Sequence, residues 1–243
     1  MVMKMENLAV KLGMQQKVFR SADGAILNYC VRKTGGRSGN VAPAVLLFLH
    51  GAGERGDDNQ LQLKHCAADL LNFCETEKIE AVLLFPQCPQ NVMWIEQSWS
   101  LTEHEMTPEP TPQLKHALEL VDSVIEQEKC DPRRVYISGI SMGGFGTWDA
   151  LSRRPAFFAA AIPVCGGGDV RQAPKLKDIP IRVFHGSEDS VVNVKRSRDM
   201  VEAIRAAGGT KIFYTEYPGV NHNSWAATYA DHDNLRWLFS QSR

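Results

Sequence analysis

Apolar residues follow two rhythms along this chain. Blocks such as "AVLLFLH" (44–50), "AVLLFP" (81–86), "RVYISGI" (134–140), "FFAAAIPVC" (157–165) and "IRVFHG" (181–186) are largely unbroken and of strand length, the pattern of sheet positions covered by helices on both faces. "KIFYTEYP" (211–218) reads as one more strand. "KVFRS" and "AILNYCV" read as a pair of strands joined at Asp23-Gly24, a hairpin signal, with "GGRSGN" (35–40) as a flexible loop. Between the blocks the spacing turns helical. Residues 58–75 predict a helix, and Thr111 and Pro112 supply an N-cap and first helical position for Leu114, Ala117, Leu118, Val121, Val124 and Ile125, which share one face as far as Cys130. Further helices are predicted from Met142 to Ser152, from about Val194 to Ala207, stopped by Gly208-Gly209, and from Ser224 onward.

Strands alternating with helices imply an α/β fold with a mostly parallel central sheet. At 243 residues the chain is sized for one domain, expected over residues 17–243 after an N-terminal extension, 1–16. With 27 basic and 28 acidic side chains and no block of like charge, nothing favours nucleic acid or an anionic membrane as partner. No apolar run approaches the roughly 20 residues that span a bilayer, and the N-terminus lacks a signal-peptide core, so a cytoplasmic protein is the expectation. The six cysteines show no paired spacing and read as reduced, buried residues. His65, Cys66 and Cys74 lie close in sequence but lack a fourth ligand, so no metal is expected.

The chemistry concentrates at "GISMG", Gly139 to Gly143, a GxSxG sequence between a predicted strand and a predicted helix. In that context the serine sits on a strained turn that exposes its hydroxyl at a helix N-terminus, where backbone N–H groups favour developing negative charge. A glycine-rich turn with an incidental serine, or a phosphate loop, gives the same letters, so the rest of the chain must decide. A serine hydroxyl needs a base, and the base an orienting acid. Downstream, "VFHGSEDSVV" offers Asp189 after one strand and "YPGVNHNSW" offers His222 after the last. Glu188 competes with Asp189, and His185 reads as a structural residue at the strand end. The expected oxyanion donors are the backbone N–H of Met142 and, from "HGAGERGDDN" (50–59), that of Ala52, with Gly53 as second choice.

Together, "LHGAGERGDDN", "PQCPQNVMW", "GISMGGFGTW", "HGSEDSVV" and "GVNHNSW" resemble the α/β-hydrolase superfamily over roughly residues 17–240, and most of all its dienelactone-hydrolase-like, predicted-peptidase and small-carboxylesterase branch. The resemblance implies Ser141 as nucleophile, Asp189 as acid and His222 as base, with no cofactor. Dienelactone hydrolases carry cysteine at the nucleophile position, so Ser141 points instead to ester hydrolysis. Few residues separate the elbow helix from Asp189, which implies no large cap domain and an open cleft. The segment from Pro86 to Pro112, with five prolines and two tryptophans, is long enough to imply a function; Trp94 and Trp99 in it, and Trp225, are the candidate substrate-binding residues. The expected substrate is a small carboxylic ester with a short acyl chain. A peptidase or thioesterase of the same fold is the alternative, and a non-catalytic binding protein a more distant one.

Overall fold

A computed structural model describes residues 7–35 and 41–243. Its centre is one eight-stranded sheet in the order β1-β2-β4-β3-β5-β6-β7-β8. The strands are β1 (Gln15–Arg20), β2 (Ile26–Thr34), β3 (Ala44–Leu49), β4 (Ala81–Pro86), β5 (Val135–Ile140), β6 (Ala160–Val164), β7 (Ile181–Gly186) and β8 (Ile212–Tyr217). The hairpin β1–β2 is antiparallel and β2 pairs antiparallel with β4; all other pairings are parallel. Every residue of β3, β4 and β5 is buried, whereas β1 on the outer edge is exposed along most of its length. This is the physical content of the unbroken apolar blocks: alternate residues serve opposite layers. Val45, Leu47 and Leu49 face a core shared with α3 (Pro112–Glu128), α4 (Met142–Arg153) and α6 (Lys195–Ala206). Ala44, Leu46 and Phe48 face a second core built with α2 (Ala67–Thr76) and α8 (His232–Ser240). Each fully buried Leu or Val contributes about 1.5–3 kcal/mol relative to exposure, so neither face tolerates a polar substitution.

Helix ends follow the predicted chemistry. Thr111 Oγ1 accepts from Leu114 N at 3.3 Å and Pro112 opens α3. After α6 the chain turns through Gly208 at φ 91°. Three predicted features differ from the fold. The helix expected over 58–75 is broken into a 3₁₀ turn, Leu61–Leu63, and α2, because Asn59 and Cys66 take left-handed backbone at φ 52° and 65° and Asp58 accepts from the amides of Gln60 and Leu61. The last helix is two, α7 (Ser224–Ala230) and α8, divided at Asp231, whose carboxylate caps Asp233 N at 3.0 Å. The stretch set apart as an extension over 1–16 contributes structure from residue 7: Asn7 caps α1 (Leu8–Lys11), Ala9 and Met14 enter the second core, and β1 starts at Gln15. Residues 1–6 of that extension, and 36–40 of the loop expected over 35–40, lie outside the described residues.

From α4 to the loop after β7 the chain holds only β6, a 3₁₀ turn at Val170–Gln172, α5 (Ala173–Leu176) and β7 itself. No cap domain is inserted there, and the carboxyl ends of β3, β5, β7 and β8 open on the same edge, where parallel sheets build their sites.

Candidate active site

Ser141 joins β5 to α4 at φ 52°, ψ −118°, a conformation that side chains rarely adopt and that surrounding structure must impose. Here the crowding is severe. A Cβ at Gly143 would lie 1.9 Å from the Leu49 carbonyl oxygen, and one at Gly139 would lie 2.3 Å from the Gly143 carbonyl oxygen. The two glycines of GxSxG are therefore required so that the helix can close on β3 and β5, and the serine between them is turned outward.

That outward hydroxyl meets the base. Ser141 Oγ is 2.9 Å from His222 Nε2, and His222 Nδ1 is 2.7 Å from Asp189 Oδ2. The structure thus brings together the three side chains proposed from sequence, from loops at the ends of β5, β7 and β8. The Asp189 side chain is fully buried, while that of His222 is 19% exposed, so the histidine side of the group is the accessible one. Burial pushes the Asp189 carboxyl up, but hydrogen bonds from His185, His222 and the amides of Val192 and Val191 outweigh it and hold the group well below the usual carboxylate range. The competitor Glu188 is exposed, and its amide donates to Val220 O at 3.0 Å.

Residues outside the predicted triad hold these loops. Asn221 Oδ1 accepts from His222 N at 2.7 Å and from Ser190 N at 3.0 Å, fastening the base loop to the acid loop. Gly186 lets them touch, since a Cβ there would lie 2.2 Å from Val220 O. His185 is fully buried, with Nε2 3.0 Å from Val192 O and 3.2 Å from Asp189 Oδ2. Its position four residues before the acid was the available signal.

Met142 opens α4, where the first amides have no intrahelical acceptor, and Ala52 opens a 3₁₀ turn, Ala52–Glu54. The preceding Gly51 runs beside the serine: a Cβ on it would sit 3.6 Å from Ser141 Cβ. His50 secures this loop. Its Nε2 accepts from Cys88 N at 2.9 Å, its Nδ1 lies 2.6 Å from Gly51 O, and its carbonyl accepts from Trp94 Nε1 at 3.0 Å. An Nε2 that accepts carries no hydrogen, and complete burial lowers the His50 pKa to about 4, so the ring is a neutral brace. Arg55 donates to Ala52 O at 2.8 Å and to Val92 O at 3.3 Å, tying the same loop to the proline-rich segment.

The tryptophans divide. Trp94 is 0% exposed and packs on Gly146 of α4 within the core, which corrects its expected role as a substrate wall: it anchors the proline-rich segment from beneath. Trp99 is partly exposed and packs with Ile95, Phe145 and Val192, next to the elbow helix and acid loop. Trp225 stands edge-to-face on the His222 ring, with centroids 5.3 Å apart and planes at 90°. One group of metal-ligand type atoms gathers among the described residues, those of Cys165, Asp189 and His222 within 4.8 Å. Burial raises the Cys165 thiol well above its ordinary pKa. His65 faces Glu54 at 3.5 Å.

Comparison with known proteins is consistent over most of the chain. Residues 37–234 match the family described as Phospholipase/Carboxylesterase. A solved thermostable esterase superposes with a TM-score of 0.86 at 37% identity, over 95% of this chain and 63% of that one. A bifunctional acetylxylan esterase/xylanase of Neocallimastix patriciarum is 34% identical over 88 residues, 36% of this chain and 13% of that protein. An acyl-protein thioesterase 1 homologue of Dictyostelium discoideum is 33% identical over 90 residues, 34% of this chain and 40% of that protein. The matches therefore span less than two thirds of these relatives.

Proposed function

The chain belongs to the phospholipase/carboxylesterase family of α/β-hydrolases, and from that premise we propose that it is a serine carboxylesterase that cleaves small carboxylic esters through an acyl-enzyme. The observation that supports this above all is the unbroken chain of contacts from Ser141 Oγ through His222 to Asp189, at 2.9 and 2.7 Å. His222 Nε2 takes the serine proton as Oγ attacks the ester carbonyl. Asp189 accepts from Nδ1 and stabilises the imidazolium that forms. The tetrahedral oxyanion is met by the amides of Met142 and Ala52, each worth about 10²- to 10³-fold in kcat. His222 then returns its proton to the leaving alcohol, and water repeats the sequence on the acyl-enzyme to release the acid. Trp99 and Trp225 flank the substrate, and no cofactor is needed. The machinery lies within one domain, to which α1 and β1 also belong, and a cytoplasmic location is part of the proposal; no described helix is long and apolar enough to cross a membrane.

The absence of a cap between α4 and Asp189 leaves little apolar surface for a long acyl chain. In a series of p-nitrophenyl esters, acetate and butyrate are turned over with higher kcat/KM than palmitate; the reverse order contradicts the short-chain reading. Thioesters and peptide amides in the same panel decide between the esterase and its alternatives, because the three chemistries share this machinery.

A further inference from the structure

We propose that His185 is a positioning residue for the acid of this site: it clamps the Asp189 loop to the end of β7 and completes the hydrogen-bond shell of the carboxylate. The inference rests on the Ser141–His222–Asp189 reading. Both neighbours of His185 Nε2 are acceptors, Val192 O at 3.0 Å and Asp189 Oδ2 at 3.2 Å, so Nε2 carries a hydrogen that the two share. The other ring nitrogen is 2.7 Å from Ser197 Oγ on α6, and that oxygen is 3.1 Å from Gly166 O. His185 and Ser197 are both 0% exposed, so the ring is fixed from both sides and no water competes for it.

The consequence is a filled carboxylate. Such a group offers about four lone-pair directions. On Asp189, Oδ1 takes the amides of Val191 and Val192, each at 2.9 Å, while Oδ2 takes His222 at 2.7 Å and His185 at 3.2 Å. With every direction occupied the carboxylate cannot rotate away from His222. A donor on the same oxygen also takes a share of the carboxylate's negative charge, which leaves less of it on the bond to His222. Other ionisable groups stand close by. Glu216 on β8 is paired to Arg198, whose hydrogen bond leads in holding its pKa at about 2, and burial keeps the Cys165 thiol protonated. His65 packs against the same Trp225 ring that meets His222, and it faces Glu54 at 3.5 Å; burial lowers the His65 pKa.

The test measures kcat/KM against pH on p-nitrophenyl acetate for the full chain and for His185→Phe, which keeps an aromatic ring and loses the donor. The acidic limb of the profile moves up by about one pH unit, and kcat/KM at its plateau falls roughly tenfold through kcat, the scale seen when an outer partner orienting a histidine ligand is lost. His185→Gln, whose amide restores an N–H donor, returns the limb towards its wild-type position. If His185→Phe does not fold, Ser197→Ala loosens the same ring and gives a smaller shift in the same direction. A folded His185→Phe, or failing that Ser197→Ala, with the wild-type limb and kcat overturns the proposal. Wild-type protein that neither hydrolyses the ester nor takes a fluorophosphonate at Ser141 overturns instead the reading on which it rests.

Discussion

At the scale of single residues, function is proposed to depend on one alcohol made nucleophilic by its surroundings. Asp189 keeps His222 in the tautomer whose Nε2 is free to accept from Ser141. Asp189→Asn presents an amide that can donate to Nδ1 and so favours the wrong tautomer. In a serine protease with this arrangement the equivalent change lowers kcat about 10⁴-fold, and a loss of that order, with KM nearly unchanged, is expected for the ester reaction here. Equal steady-state rates for the two proteins would remove Asp189 from the mechanism. At this scale the sequence was most legible where a residue needs a particular backbone environment: Ser141 between its glycines, and Asp189 and His222 after strands. It was least legible for residues that act through others. Nothing in the letters distinguishes His50 as a brace for the Gly51–Ala52 turn, or Asn221 as a tie between two loops, because those roles depend on contacts from distant parts of the chain. Trp94 was misread for the same reason: a tryptophan in a long loop can face a cleft or pin the loop to the core, and its packing on Gly146 decides for the core.

At the scale of elements, strands were easier to read than helices because burial on both sides leaves continuous apolar blocks, whereas helix boundaries depend on local backbone. The break in the predicted 58–75 helix needs left-handed Asn59 and Cys66, and neither residue type forces that conformation. The elbow itself is set by steric exclusion between elements. Gly143→Ala places a methyl 1.9 Å from a backbone carbonyl that belongs to β3, which cannot move without disturbing the sheet. The expected cost is about 3 kcal/mol or more, a fall of roughly 6–12 °C in Tm for a chain of this size. Gly53→Ala is the control, since a Cβ there meets nothing within 4 Å. Thermal melts of the pair should separate clearly; matching Tm values would mean that the strand–helix closure tolerates a side chain.

At the scale of the whole molecule, the same braces that shape the site make its stability sensitive to acid. His50 is held neutral by burial, with its pKa lowered from 6.5 to about 4. Between those values the unfolded chain binds a proton that the folded chain refuses, so stability rises with pH across the window and is lost as pH falls. In mid-window the slope from this one group is about 1.4 kcal/mol per pH unit. Asp189, whose carboxyl is also lowered, adds a loss of the same sign below the ordinary carboxylate pKa of about 3.9. Urea unfolding at pH 7, 6, 5 and 4 should show this decline, and His50→Asn should flatten it; a wild-type curve that is level from pH 6.5 to 4 contradicts the picture of a neutral brace. The α/β architecture was foreseeable because it follows from alternating blocks and connection lengths, while the joining of site loops across the sheet edge was not.

The central claim, that Ser141 is an activated nucleophile, is tested most directly by exposing the folded protein to a fluorophosphonate and locating the adduct by peptide mass spectrometry. The account predicts one phosphonyl group, carried by Ser141, with labelling abolished in Ser141→Ala and strongly slowed in His222→Ala. Folded wild-type protein that stays unmodified, or that carries the label on another residue, contradicts it.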